Sequence, residues 1–236
     1  MALLTSDRLV VGDRNNQSVK LFDVVQDEVL HQLRVDSTPL SVCSLPGDRA
    51  AVALPFNYTI LILDCDNQLS IVNTITVREK MRGLAYSNGH LIVLYMYGII
   101  ETLHMNGEVV RQNNLEMYTG NITNHLSVMT EGNVTSIYVS YYNNIKIVRL
   151  DEDLQVQQVY LLPGDAQPLD VLALGENQLL VSDFDDRLWQ LDTTTGRWTR
   201  LNQEVDFENG YTMAFCHDRH VLYCGFANAL IRYAIS

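Results

Sequence analysis

The 236-residue chain has no apolar run approaching the roughly 18 residues that a membrane-crossing helix requires. Its first residues, MALLTSDR, carry neither the basic n-region nor the apolar core of a secretory signal, so a cytoplasmic protein is expected. Its four cysteines, Cys43, Cys65, Cys216 and Cys224, are scattered, with no Cys-x-x-Cys pair. That excludes a disulfide framework and suits free thiols in a reducing compartment. The sequons at Asn16, Asn57, Asn121 and Asn133 would matter only in a secreted protein. Positive charge is scarce. Sixteen Lys and Arg against 28 Asp and Glu leave a net charge of −12, which argues against a nucleic-acid partner, because phosphate contacts need clustered cations. Absent too are GxSxG, HExxH, P-loop and GxGxxG motifs, so no familiar catalytic or nucleotide signature is present.

The chain does have a repeat. Residues 8–23 read RLVVGDRNNQSVKLFD, an apolar run, a polar turn and a second apolar run. The pattern returns in AVALPFNYTILILD, LIVLYMYGIIETLH, YVSYYNNIKIVRLD, LVSDFDDRLWQLD and VLYCGFANALIRYA, with starts about 40 to 47 residues apart. Each copy has the chemistry of a β-hairpin: Val, Ile, Leu and Tyr on the flanks, with Asp, Asn, Gly or Pro in the connector. Short apolar runs precede and follow most copies, making four strands per unit. With 47% hydrophobic and 19% charged residues, the chain can bury a large core. Four-stranded sheets arranged radially cover each other's faces, so the spacing predicts an all-β, six-bladed β-propeller over residues 1–236. Its blades should begin near residues 2, 39, 80, 125, 169 and 211. The first and last blades are expected to be incomplete, the last ending after its third strand, as in a truncated gene product or the tail of a longer protein.

The first copy, VVGDRNNQSVKLFD, resembles the NHL-type repeat through Asp13, Arg14, Asn15, Asn16, Val19, Phe22 and Asp23. It is similar to the propellers at the C-terminus of tripartite-motif proteins. The likeness is strong in the first unit, fair in the fourth and fifth, and weak elsewhere; the third has Leu103-His104 in place of the terminal acid. The resemblance implies a recognition module, of the kind that selects substrates for a ubiquitin ligase. It supplies no catalysis, because no RING or B-box zinc-ligand pairs occur in this chain.

A partner is expected at the turns between second and third strands and at the links between blades. Those six turns hold eight of the twenty aromatics, about threefold the overall frequency of 8%. Exposed rings gain nothing from water, whereas Tyr is favoured at interfaces. The expected protein- or peptide-binding set is Arg14, Phe56, Tyr58, Arg78, Arg82, Tyr95, Tyr97, Tyr141, Tyr142, Phe184, Arg187 and Phe226. Some of these rings are equally suited to folding back over the blade ends. Arg34 and the run Arg78-Glu79-Lys80-Met81-Arg82 make one rim basic, while Asp165 and Glu204-Val205-Asp206-Phe207-Glu208 make the other acidic. That arrangement suits a ligand bearing both charge signs. No cofactor, metal or catalytic residue is expected. Cys216-His217-Asp218-Arg219-His220 reads as turn histidines beside a buried thiol. Two rival readings are a six-bladed lactonase or lyase using Asp13, Asn15, Asn57, Asn143 and Asp183, and binding of single-stranded RNA through the aromatics.

Overall fold

The structure, a computed structural model, describes every residue except 6, 67, 117–122, 142–144, 186, 202–211, 226–229 and 235–236. Alternating apolar residues bounded by turn formers produce antiparallel hairpins throughout. The first sheet contains β1 (Ala2–Thr5), β2 (Arg8–Asp13), β3 (Ser18–Asp23) and β4 (Glu28–Arg34), and the second contains β5 (Ser41–Leu45), β6 (Arg49–Leu54), β7 (Thr59–Asp64) and β8 (Ser70–Thr76). The third is β9 (Met81–Ser87), β10 (His90–Tyr95), β11 (Ile99–Leu103) and β12 (Val109–Asn114). The fourth is β13 (Thr123–Glu131), β14 (Val134–Tyr141), β15 (Lys146–Leu150) and β16 (Val156–Leu161). The fifth is β17 (Pro168–Gly175), β18 (Gln178–Asp183), β19 (Leu188–Asp192) and β20 (Arg197–Arg200). The sixth has three strands among the described residues, β21 (Thr212–Cys216), β22 (Val221–Gly225) and β23 (Leu230–Ala234). Strands pair in chain order within every sheet. The fold is a six-bladed β-propeller.

The first blade is complete, which corrects the expectation of an unfinished one. Ala2 pairs with Val10 and Leu3 with Leu9, and buried Ala2 joins Val10, Val19, Val42 and Val52 in one apolar cluster. Burying that strand end favours a fourth pairing even though it is only four residues long. Among the described residues, no helix is long and apolar enough to cross a membrane.

Two compact units divide the chain: Met1–Tyr95 with Glu101–Val110, and Met96–Ile100 with Arg111–Ser236. In the first, both faces of β6 and β7 are covered, so Ala50–Leu54 and Ile60–Leu63 read as continuous apolar runs. In the second, Met129, Tyr138, Ile147, Val171, Leu179 and Leu191 form one cluster, and Leu180, Leu188, Met213, Leu222 and Cys224 another.

The turns repeat as faithfully as the strands. At the end of the third strand, Asp23, Asp64, Asp151 and Asp192 each fold the carboxylate onto following backbone N–H groups. This is the local hydrogen bonding that makes Asp a turn former. His104 occupies the corresponding place in the third sheet, and there Asn106 takes over by accepting from the Glu108 N–H. The closing acid of the repeat is therefore explained by backbone chemistry.

Neighbouring sheets are tied by side chains on their first strands. Ser41 Oγ accepts from the Leu84 N–H at 3.1 Å, and Ser127 Oγ from the Ala173 N–H at 3.0 Å. Asp170, buried in β17, accepts from the Met213 N–H at 2.7 Å through Oδ2 and from its neighbour Val171 through Oδ1. His125 Nδ1 lies 2.5 Å from Asp170 Oδ1 without an aligned hydrogen bond. Asp170→Ala would orphan the buried Met213 N–H, and should lower the unfolding free energy by about 1–3 kcal/mol. A urea midpoint unchanged from wild type would contradict this role.

All four cysteines are free. Burial pushes the thiols of Cys65 and Cys224 up to about 12, so neither is a nucleophile near neutrality. Iodoacetamide at pH 8 should leave both unmodified in the folded chain and alkylate them in 6 M guanidinium, as read by peptide mass mapping.

Candidate functional site

In the first unit, strand register brings the sequence-predicted residues to one end. Asp13 pairs with Ser18 and Leu54 with Thr59 across their turns, while Tyr95 pairs with Met81 at the start of β9. The links return to the same end: the Val35 N–H donates to the Gln17 carbonyl and the Val77 N–H to the Tyr58 carbonyl. Gly12 lets β2 approach the second sheet, because a Cβ there would meet Pro39 at 3.1 Å and Val42 at 3.5 Å. Ser41 then ties β5 to β9. Arg14, Arg34, Phe56, Tyr58, Arg78, Lys80 and Arg82 consequently share this end.

Its rings divide sharply. Phe56 is 62% exposed and Tyr58 41%. Tyr58 holds φ at 56°, a left-handed conformation that is unfavourable for a bulky residue. Tyr95, by contrast, is 1% exposed, so its ring is not at the surface as expected. It is the last residue of β10 and points inward, donating its hydroxyl to Glu101 Oε2 at 2.6 Å. Burial first, and then this bond to a carboxylate, raise the Tyr95 hydroxyl well above its ordinary pKa. Glu101, also buried, faces Arg78 with Oε1 2.9 Å from Nη2, and the guanidinium lies 5.7 Å from the Tyr95 ring centre. Tyr95, Glu101 and Arg78 thus form a small anchored network.

The remaining cations are differently placed. Lys80 Nζ sits 5.1 Å from the Phe56 ring centre. Arg82 is half-buried; burial, and second the charge of Arg14, lower its pKa. Among the described residues, neither Arg14 nor Arg82 forms an ion pair. Nearby Asp13 is already engaged, accepting from Lys20 at 2.6 Å and from Asn16 through its side chain and backbone N–H.

In the second unit, Tyr97 is 60% and Phe184 42% exposed on their turns. Tyr141 is fully buried, another ring expected outside that ends its strand facing inward, and burial raises its hydroxyl pKa. Arg187 is committed internally: Nε meets Asp183 at 2.6 Å, Nη1 meets Asp165 at 3.0 Å and Nη2 meets Asp185 at 2.5 Å. Asp183 also accepts from the N–H groups of Asp185 and Arg187 and from the Trp189 indole, so it serves the turn. His217 packs edge-on against Phe215, ring centres 4.8 Å apart. Among the described residues, no three His, Cys, Asp or Glu side chains are gathered to hold a metal. Tyr142, Asn143, Phe226 and the acidic run 204–208 lie outside the described residues.

Sequence reasoning missed two buried carboxylates, Glu101 and Asp170. The available signal was an acid inside an otherwise apolar strand, IIETL and PLDVLAL.

No family model matches the chain, and no curated protein matches it in sequence. Its backbone resembles solved structures. One is a protein of unknown function from Bacteroides caccae, with TM-score 0.69 at 15% identity, covering 92% of this chain and 81% of that one. Another is Kuenenia stuttgartiensis hydrazine synthase, with TM-score 0.71 at 16% identity, covering 94% and 72%. The likeness is one of fold.

The Asp13 carboxyl titrates below its ordinary value: burial acts to raise it, and the Lys20 and Asn16 bonds outweigh that. A carboxylate with a depressed folded pKa stabilises the fold fully above about pH 4 and loses that contribution as pH falls through the folded value. Asp13→Asn should therefore flatten the acid limb of the stability curve and leave its shape above pH 6 unchanged, measured by urea unfolding from pH 2 to 7.

Proposed function

We propose that this chain is a non-catalytic recognition module that binds a protein or peptide through the exposed rings on its turns. The observation that carries the reading is Tyr58. A ring-bearing residue is kept in a left-handed turn where Gly or Asn would be less strained, and it stands outside beside Phe56. Strain of about 1 kcal/mol at an exposed tip does nothing for packing, which suits a residue retained for contact. The four free thiols favour a reducing compartment, and we place the module in the cytoplasm. The NHL-like residues of the first hairpin support a closer reading, a tripartite-motif-type propeller that chooses substrates for a ubiquitin ligase whose catalytic domains lie elsewhere. The fold is compatible with that reading, but Asp13 and Asp23 are also explained as turn formers.

Tyr58→Gly should leave stability equal or raise it by up to about 1 kcal/mol, because the left-handed penalty disappears. Proximity labelling in cells should lose a defined set of neighbours with Tyr58→Gly combined with Phe56→Ala. An unaltered set of neighbours, with the variant folded, would refute the assignment of this end as the contact surface.

A further inference from the structure

We propose that the free edge of β8 takes up an extended segment of a partner protein as an added strand. An apolar side chain of that segment sits in the cavity beside β8, and an acidic one meets Arg49. The inference goes beyond the recognition reading above, because none of the ring-bearing turn residues takes part.

The edge comes first. β8 pairs with β7 on one side only, so the backbone groups facing the other way have no strand partner. Its sequence, SIVNTIT, has no charge, no Pro and no Gly. Edge strands are commonly protected from further pairing by charge, Pro or brevity. Here β4, β12 and β20 carry Glu or Arg, whereas β8 and β16 carry neither. β8 is also seven residues long and exposes Ile71 by 49% and Val72 by 53%. A bulge at Val72 leaves Asn73, Thr74, Ile75 and Thr76 in regular register with β7.

A cavity lies against that edge, at the strand ends away from Tyr58. About 310 Å³ in volume, it is walled by Leu45, Ile62, Val72, Tyr86 and Met105, with Arg49 and Asn73 adding polar groups. Gly107 brings the turn that carries Met105 against β8, since a Cβ there would meet Ile75 at 2.8 Å. Ile62 is buried while Val72 and Arg49 are exposed, so the cavity runs inward from solvent. Strand addition works through these two parts: main-chain bonds hold the segment, and a pocket reads alternate side chains.

Arg49 selects the occupant. Its Nε donates to the Pro46 carbonyl at 3.1 Å, which leaves the Nη groups for a ligand. Among the described residues it forms no ion pair. Asp48 meets Arg8 at 2.9 Å instead, and the Asp64 carboxylate accepts from the Asp66 N–H at 2.9 Å. A carboxylate two residues from the apolar side chain lies on the same face of an extended segment and suits the guanidinium fork. A second copy of β8 brings no acid, so self-pairing would leave Arg49 unmet.

The test is selection of random twelve-residue peptides by messenger-RNA display against the whole chain carrying Phe56→Ala and Tyr58→Gly, so that the turn rings cannot capture them. Winners are expected to hold Asp or Glu two residues from a large apolar residue. Labelled with fluorescein, they should bind about tenfold or more weakly to chains with Val72→Lys, which charges the edge, or Arg49→Gln. Val159→Lys, on the uncharged edge strand β16, should change nothing. Methylating the winners' backbone nitrogens singly should abolish binding at alternate residues, a period of two that marks a strand and needs no variant of the protein. Tolerance of methylation at every position would overturn the proposal, as would acid-free winners or winners indifferent to Val72→Lys or Arg49→Gln. Failure to enrich any peptide would overturn it while leaving the turn-ring reading standing. A dimer in analytical ultracentrifugation that Val72→Lys dissolves would assign the edge to a second copy and overturn it too.

Discussion

One backbone hydrogen bond recurs in the first four sheets, where the hairpin must hand the chain on. The residue before the third strand, Gln17, Tyr58, Gly98 or Ile145, takes a positive φ and offers its carbonyl to the link after the fourth strand, at Val35, Val77, Leu115 or Leu162. All four receiving residues are buried, so each N–H would otherwise be an unsatisfied donor away from water. Such a donor costs about 1–3 kcal/mol. A left-handed L-residue costs about 1–2 kcal/mol, and nothing when it is Gly. The bond therefore holds its ground, and the turn conformation is imposed even on Ile145 and Tyr58, residues that do not favour it.

That constraint also positions the chemistry. Tying Val77 to Tyr58 fixes where the chain emerges, and the next residue is Arg78, delivered onto Glu101 and the face of Tyr95. The network in turn occupies Glu101. A structural device that satisfies a backbone donor thus decides which cations are neutralised internally and which remain available. The exposed rings follow the same logic, because a turn whose backbone is fixed can vary its tip side chains without affecting the sheet beneath.

The sheets were readable because their signal is periodic: apolar alternation sets the hairpins and the 40-residue spacing sets their number. The Asp residues closing the third strands were readable as turn formers. The left-handed residues were not, since Gly98 alone carries the expected marker and Gln17, Tyr58 and Ile145 conceal the same geometry. Tyr95 and Tyr141 were misplaced for a related reason. Each ends a second strand, where a shift of one residue turns a side chain from solvent to interior. Composition marked them as turn aromatics, whereas register assigns them to the core. Glu101 was hidden because its partner Tyr95 faces it across a hairpin, and a single acid in an apolar strand does not announce which hydroxyl or guanidinium will meet it.

Arg82 and Arg187 show how little residue type says without surroundings. Both lie on or beside turns of similar hairpins, and both are partly covered. Arg187 is enclosed by Asp165, Asp183 and Asp185, so its charge is spent rigidifying one turn. Arg82 is half-buried, and among the described residues it forms no ion pair. Partial burial of a cation is tolerable in the first case because the partner is built in. Around Arg187 the chain places three carboxylates in contact, whereas among the described residues neither Asp36 nor Glu79, the acids of the links at the other end, forms an ion pair with Arg82.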